Sequence, residues 1–408
     1  MFTLSREQLR YDLEIAYTDA KRNKSTKEYV INFDYNELDV LCDELYNHTY
    51  IQLPLTCFII NCPKPREIFA ADFRDRIVQH LLYNYLYELF ERTFIYDSYS
   101  CRIGKGTHFG IDRLEHHIKA ESQNYSIETY CLKMDIKGYF IHINRQKLLD
   151  IVLSEINKYK WKYENILDFE FIAYLCREII LHDPTENCIK KFTKAQFRTL
   201  PKHKSLFYAE HGCGIPIGNL TSQLFSNIYL NVFDQYVKRV LKCKHYGRYV
   251  DDFFIISSNK HFLHIVIPKI TMFLKETLYL DVQQGKTQIK NIKYGVEFLG
   301  AYLKPYRRYI SNSTLRRMKQ KINNNSYTNN IQKIDSIKSE IDSLYIVKDS
   351  IYIQIDTIYK QLNNNNKEYE KNFNTIINNT SDENVLFFKN YIESNRERLD
   401  SMYINSRY

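Results

Sequence analysis

Tyr246-Gly247-Arg248-Tyr249-Val250-Asp251-Asp252-Phe253-Phe254-Ile255-Ile256 places two adjacent carboxylates between apolar and aromatic flanks. Tyr, Val, Phe and Ile favour strands, and Asp-Asp interrupts the run where a tight turn fits. The stretch therefore predicts a β-hairpin with the aspartates at its tip. Adjacent like charges beside so much apolar surface repel one another. A divalent cation relieves that repulsion, and a hard ion such as Mg²⁺ prefers carboxylate oxygens. The plainer alternative is a solvated turn, because turns favour Asp.

Other stretches weigh between the two readings. In Tyr130-Cys131-Leu132-Lys133-Met134-Asp135-Ile136-Lys137-Gly138-Tyr139-Phe140 an apolar strand runs into one carboxylate, then a glycine and two aromatics. An Asp at a strand end beside a bend suits metal ligation, and equally a cap or a turn. The loop from Gly212 to Asn219 leads into a helix carrying Leu224, Ile228, Leu230, Val232 and Val237. Small residues around Gly218 and Ser222 leave an opening there for a flat ligand such as a base pair, or merely make a loop-to-helix joint.

Basic loops surround these elements. Lys64 and Arg66 lie two apart after the strand candidate Phe58–Ile60, spaced to meet a phosphate chain from one side. Arg102 and Lys105 flank Gly104 in a second, glycine-punctuated loop that lacks the phosphate-loop pattern. Lys190, Lys191, Lys194, Arg198, Lys202, His203 and Lys204 form a third basic segment, which contacts phosphates or is a solvated face. Lys286 sits in the turn Gln284–Thr287, and Glu297–Leu303 reads as a short strand.

The 408 residues exceed one hydrophobic core and predict two or three subdomains, with 44% hydrophobic and 15% aromatic content to fill them. Formal charge is +9, compatible with a polyanionic partner. No run of 18 apolar residues and no apolar leader at the start is found, so the expectation is a cytoplasmic protein without a membrane span. Nine scattered cysteines without Cys-x-x-Cys read as reduced thiols. Residues 1–50 predict two helices, with capping boxes at Ser5-x-x-Gln8 and Asp34-x-x-Glu37. Residues 145–205 read as mainly helical. Near the end, Ile334, Ile337, Ile341, Leu344, Lys348, Ile351, Ile355, Ile358 and Leu362 make a heptad seam broken only by Lys348. As a helix it spans about 45 Å at roughly 1.5 Å per residue and packs on its own domain or on a partner.

Taken in order, Lys133-Met134-Asp135-Ile136-Lys137-Gly138-Tyr139-Phe140, Ile217-Gly218-Asn219-Leu220-Thr221-Ser222-Gln223, Tyr249-Val250-Asp251-Asp252 and Phe298-Leu299-Gly300 resemble the motif series of reverse transcriptases. The resemblance implies an α+β right-hand polymerase, with residues 1–128 as N-terminal helices and fingers. Residues 129–305 form the palm with its antiparallel sheet, lending about 145–205 to the fingers, and 306–408 a helical thumb and C-terminal extension. It further implies Asp135 and Asp251 as principal ligands of two Mg²⁺ or Mn²⁺ ions, supported by Asp252 and the Ile136 backbone carbonyl. Lys64 and Arg66 would hold the incoming triphosphate, with Arg102 and Lys105 as further substrate contacts. Phe140 would gate the ribose 2′-hydroxyl, Ile217, Gly218, Ser222 and Gln223 would line the substrate, and Lys286 would stand near the departing pyrophosphate.

The expected partners are an RNA template, a DNA or RNA primer, dNTPs and a noncoding RNA. An accessory protein or second copy on the C-terminal helix is a further expectation. The Ile217-Gly218-x-x-x-Ser222-Gln223 form is similar to the diversity-generating retroelement branch. Antiphage defence-associated bacterial enzymes, which use a noncoding RNA or synthesise DNA without a usual template and carry private C-terminal regions, are the alternative. A third reading is a non-catalytic nucleic-acid scaffold, although binding alone has no use for three clustered carboxylates.

Overall fold

A computed structural model of the chain describes residues 3–22, 24–61 and 64–324. The chain divides into two units, Met1–Lys319 and Gln320–Tyr408, and the fold below is that of the first. Twelve α-helices are found among the described residues: α1 (Arg6–Lys21), α2 (Glu28–Ile31), α3 (Glu37–Tyr46), α4 (Phe73–Glu91), α5 (Thr107–Glu121), α6 (Tyr139–His142), α7 (Arg145–Tyr163), α8 (Phe169–Leu181), α9 (Lys194–Thr199), α10 (Leu220–Gln235), α11 (Lys260–Leu278) and α12 (Asn312–Asn324). The strands are β1 (Thr56–Ile60), β2 (Arg66–Ala70), β3 (Tyr130–Asp135), β4 (Ile189–Lys190), β5 (His245–Tyr249), β6 (Asp252–Ser257), β7 (Gln288–Asn291), β8 (Val296–Phe298), β9 (Ala301–Lys304) and β10 (Arg307–Ile310). The chain is thus α+β, as expected.

The strands form three sheets, in the orders β2-β1-β4, β5-β6-β3-β7 and β10-β9-β8. The central sheet is antiparallel throughout and explains the apolar run after Asp252. Side chains alternate across a strand. Phe253 and Ile255 point into the main core, with Leu132, Met134 and Tyr246 from the neighbouring strands and residues of α1, α3, α4, α7, α8, α10 and α11. Phe254 and Ile256 point the other way, against Ile111, Leu114 and Ile118 of α5 and Phe298 and Leu303 of the β8–β9 hairpin. With both faces covered, every residue from Phe253 to Ile256 is apolar and buried. Each such side chain contributes about 1.5–3 kcal/mol. This two-sided burial fixes the strand ends at which the carboxylates sit.

Several local expectations change. Ser5 caps α1 by accepting from the Gln8 N–H at 3.2 Å. Asp34 does not cap α3: its carboxylate accepts from the Asn36 N–H at 2.9 Å, and Asn36 occupies the cap position. An Asp bonding its own backbone two residues on is diverted from the helix. The stretch Glu297–Leu303 is not one strand but a hairpin. Leu299 (φ 50°) and Gly300 (φ 86°) turn it, and Phe298 faces Ala301. Two consecutive positive φ angles match the twist of a two-residue hairpin turn. The heptad seam from Ile334 to Leu362 lies outside the described residues.

Candidate active site

The Asp-Asp stretch folds as a hairpin, with its turn one residue earlier than expected: Asp251 lies at the tip and Asp252 opens the second strand. β5 and β6 pair with Tyr249 opposite Asp252, leaving Val250 and Asp251 as the turn. Val250 has φ 54°, a region that costs a β-branched residue about 1–3 kcal/mol. The strain is held by Arg248, which is fully buried. Its guanidinium donates to the Val250 carbonyl at 3.0 Å and, at 2.8 and 2.6 Å, to both carboxylate oxygens of Asp234 on α10. Asp234 also accepts from the Tyr246 hydroxyl at 2.6 Å. On the other side, the Ile136 N–H donates to the Asp251 carbonyl at 3.3 Å. The tip is therefore fixed from α10 and from β3.

The same pairing brings the second motif in. Asp135 ends β3 directly opposite Asp252, an arrangement in which like charges repel. Two ammonium groups answer it. Lys286 Nζ lies 2.6 Å from Asp135 Oδ2, and Lys133 Nζ lies 3.4 Å from Asp252 Oδ2. Lys133 also donates to the Glu297 carbonyl at 2.8 Å, joining the carboxylates to the β8–β9 hairpin. Burial, followed by repulsion from Asp135, pushes the Asp251 carboxyl up to about 6. Burial also raises Asp252, against the pull of Lys133. A cleft of about 280 Å³ opens beside them, lined by Lys133, Asp252, Lys290, Glu297, Phe298 and Gly300 among others.

Three carboxylates against two ammoniums leave room for more positive charge, so this donor set fits a hard cation. Among the described residues no three Asp, Glu, His or Cys side chains converge as a complete metal cage. Mg²⁺ needs no such cage, since it is held by one or two carboxylates together with waters and substrate phosphates.

The remaining candidates are distributed around this centre. Gly218 (φ 126°) packs so tightly on β2 that a Cβ would lie 2.8 Å from Ile68 Cγ2 and 3.1 Å from the Phe69 carbonyl oxygen. The Phe69 N–H donates to the Ile217 carbonyl at 2.9 Å, so the Ile217–Gly218 loop is laced to the sheet carrying Arg66. Ser222 is buried and Gln223 exposed in the first turn of α10. Phe140 is half-buried against Tyr139, ring centroids 5.3 Å apart. Gly138 makes the left-handed bend between Asp135 and that aromatic pair. Lys64 and Arg66 are exposed at the β1–β2 turn. Ile136 is buried directly after Asp135.

Arg102 and Lys105 do not join the site. The Arg102 guanidinium is buried against the Glu91 carboxylate (2.6 Å) and the carbonyls of Ile95 (2.6 Å) and Ser98 (2.9 Å), which hold it inside the loop and away from a phosphate. The Lys105 ammonium donates to the Tyr96 carbonyl and lies over the Tyr96 and Phe109 rings; burial brings its pKa down to about 8. Both residues brace the loop. The Arg248–Asp234 pair was missed, although an arginine inside an apolar strand run already demands a buried acid.

Residues 61–303 match the family described as reverse transcriptase (RNA-dependent DNA polymerase). The chain belongs to the reverse transcriptase family. As such it is an RNA-directed DNA polymerase, and enzymes of this family use divalent metal ions. It is 25% identical over 298 residues to protein YkfC of Escherichia coli K12, covering 65% of this chain and 70% of that protein. Among solved structures it resembles apo telomerase from Candida tropicalis truncated from its C-terminal domain (TM-score 0.47, 18% identity, 64% of this chain and 56% of that one). It also resembles Candida albicans telomerase in complex with a TWJ fragment of telomeric RNA (TM-score 0.45, 13% identity, 62% and 46%). The chain thus spans about half the length of these telomerase chains. No helix among the described residues is long and apolar enough to cross a membrane.

Proposed function

We propose that this reverse transcriptase copies a dedicated RNA into cDNA at the Asp135–Asp251–Asp252 centre. The observation that carries the proposal is the register that sets Asp135 opposite Asp252, with Asp251 at the strained turn beside them. Asp135 and Asp251 would hold Mg²⁺ or Mn²⁺, with Asp252 and the Ile136 carbonyl in support. When bound, the two ions lower the pKa of a primer 3′-hydroxyl and neutralise charge on the leaving pyrophosphate. The primer oxygen forms a bond to the α-phosphorus as the bond to pyrophosphate breaks.

The chain's own residues position and exclude. Lys64 and Arg66 reach from the β1–β2 turn toward the triphosphate, and Lys286 Nζ, beside Asp135, offers a proton to the leaving group. Phe140 bars a 2′-hydroxyl, and Ile217, Gly218, Ser222 and Gln223 frame the new base pair. Residues 1–128 serve as N-terminal helices and fingers and 129–305 as palm. In support, β4 from the 145–205 insert pairs with β1.

Ile217-Gly218-x-x-x-Ser222-Gln223 favours the diversity-generating branch, in which a template RNA is copied with errors at adenines alongside a small accessory protein. The long tail after residue 310, akin to the private C-terminal regions of defence-associated enzymes, favours one of those, using a noncoding RNA or synthesising DNA without a usual template. Asp251→Ala with Asp252→Ala tests the common core. The variant should keep its melting profile and lose dNTP incorporation on a primed RNA, and full incorporation would end the assignment.

A further inference from the structure

Residues 188–208 carry six cations (Lys190, Lys191, Lys194, Arg198, Lys202 and Lys204) and no Asp or Glu. All six are exposed, and among the described residues none has an ion-pair partner, unlike Arg6 and Arg10, each of which faces an acid. A solvated lysine face normally interleaves the two signs; this one does not.

The segment is built around rings. Phe192 stacks on Phe197 (centroids 5.3 Å, 13°), and Phe197 stacks on Tyr208 (6.1 Å, 22°). Phe192 and Phe207 pack inward on the cluster of Leu55, Cys57, Phe69 and Leu206. Tyr208 is the outer ring, 53% exposed, with the Lys202 ammonium 5.5 Å from its centroid. Both ends of the segment are tied down. The N–H groups of Ile189 and Lys191 donate to the carbonyls of Leu55 (2.8 Å) and Cys57 (2.7 Å). The buried Glu67 carboxylate accepts from Ser205 Oγ and from the Leu206 N–H (2.8 Å). The segment abuts the Asp135 bend, for a Cβ on Gly138 would lie 3.4 Å from the His203 carbonyl oxygen. A rigid aromatic step with a one-sign rim, next to the carboxylates, has the two elements single strands need: a face for stacking and charge for the phosphates.

We propose that residues 188–208 are a platform for single-stranded nucleic acid, taking the unpaired part of the template. Tyr208 stacks a base, and Lys191, Lys194 and Arg198 meet phosphates. Duplex bases already stack on one another, so an open ring selects the unpaired strand. The template assignment rests on the polymerase reading above.

The test uses the full chain, a labelled single-stranded RNA of about 20 nucleotides, and inorganic polyphosphate as competitor. Lys191→Gln with Lys194→Gln and Arg198→Gln should weaken RNA binding at least tenfold near 0.1 M salt and flatten the log–log salt slope by about 2, at roughly 0.7 per phosphate contact. Tyr208→Ala should weaken it about tenfold, and Tyr208→Phe should restore it. In primer extension, the triple variant should raise KM for a template with a long overhang about tenfold more than for a one-nucleotide overhang. Unchanged affinity and slope in the triple variant would make the segment a solvated face. An inert Tyr208→Ala, with polyphosphate competing as well as RNA of equal charge, would make it a general polyanion patch. Either result overturns the platform. A wild-type chain that binds RNA through this segment yet extends no primer would sink the polymerase reading instead.

Discussion

The turn that carries Asp251 depends on a buried ion pair, and dismantling that pair in two ways separates stability from positioning. The Arg248 and Asp234 side chains are both 0% exposed. Removing one partner strands a charge where water cannot reach, at a cost of about 3–5 kcal/mol. Asp234→Ala should therefore destabilise the chain by about that amount in urea denaturation and depress activity simply through unfolding. Replacing the acid, its guanidinium and the Tyr246 hydroxyl by apolar groups of similar volume is different: such exchanges are neutral or stabilising by about 1–4 kcal/mol, a gain offset in part because Ser98 Oγ and Asn227 Oδ1 also lose their Arg248 donor. Asp234→Leu with Arg248→Met and Tyr246→Phe removes the acid, its guanidinium and the hydroxyl that would otherwise lose its acceptor. This variant should melt near the wild type. It no longer grips the Val250 carbonyl, so the left-handed Val250 relaxes and Asp251 shifts. A displacement of about 1 Å at a reacting centre costs on the order of 10²-fold in rate. Single-turnover dNTP incorporation should fall by that factor while primer–template affinity holds. Wild-type kcat in a triple variant of native stability would refute the argument that the pair exists to aim the aspartate.

The remaining expectations are more local. Gly218→Ala places a methyl 2.8 Å from Ile68 Cγ2 at a φ of 126°, so it should cost about 1–3 kcal/mol and reduce incorporation; a silent substitution would show that the loop does not hold this position in solution. Phe140→Ala should raise rNTP relative to dNTP incorporation in a paired-substrate assay, whereas a purely packing phenylalanine would lower the melting point and leave selectivity unchanged. With Ile217 framing the new base pair as proposed, Ile217→Gln should lower misincorporation; identical error spectra from product sequencing would count against it. Asp75 is buried, and its carboxyl is raised from 3.8 to about 6 despite bonds from the Tyr50 hydroxyl and the Leu53 N–H. The folded state binds that proton more tightly, so its contribution is complete below about pH 4 and is lost as pH rises through 6. The difference is about 3 kcal/mol at 1.36 kcal/mol per pH unit. Wild type should lose that stability between pH 4 and 7 relative to Asp75→Asn, and parallel pH–stability curves would refute it.

What the sequence disclosed and what it hid differ in range along the chain. The turn at Val250–Asp251, the bend after Asp135 and the helix beginning at Leu220 are set by neighbours a few residues away, through strand propensity, glycine and small side chains. They were legible for that reason. The contacts that make these pieces one site join distant positions: Lys286 to Asp135, Lys133 to the Glu297 carbonyl, and the Phe69 N–H to the Ile217 carbonyl. Nothing local in Lys133 distinguishes an ammonium that bridges a carboxylate and a hairpin from one in water. Arg102 misled for the same reason: a glycine-flanked arginine reads as a phosphate contact until Glu91 and two carbonyls are found to use its donors. Arg248 is the intermediate case. An arginine between Gly247 and Tyr249 in a strand buried on both faces must have an acid. Helix α10, packed beneath that strand, offers Asp234 fourteen residues earlier. Burial pattern and charge together narrow such a partner to one helix face, whereas charge alone, at Arg102 or Lys105, points wherever an anion is expected.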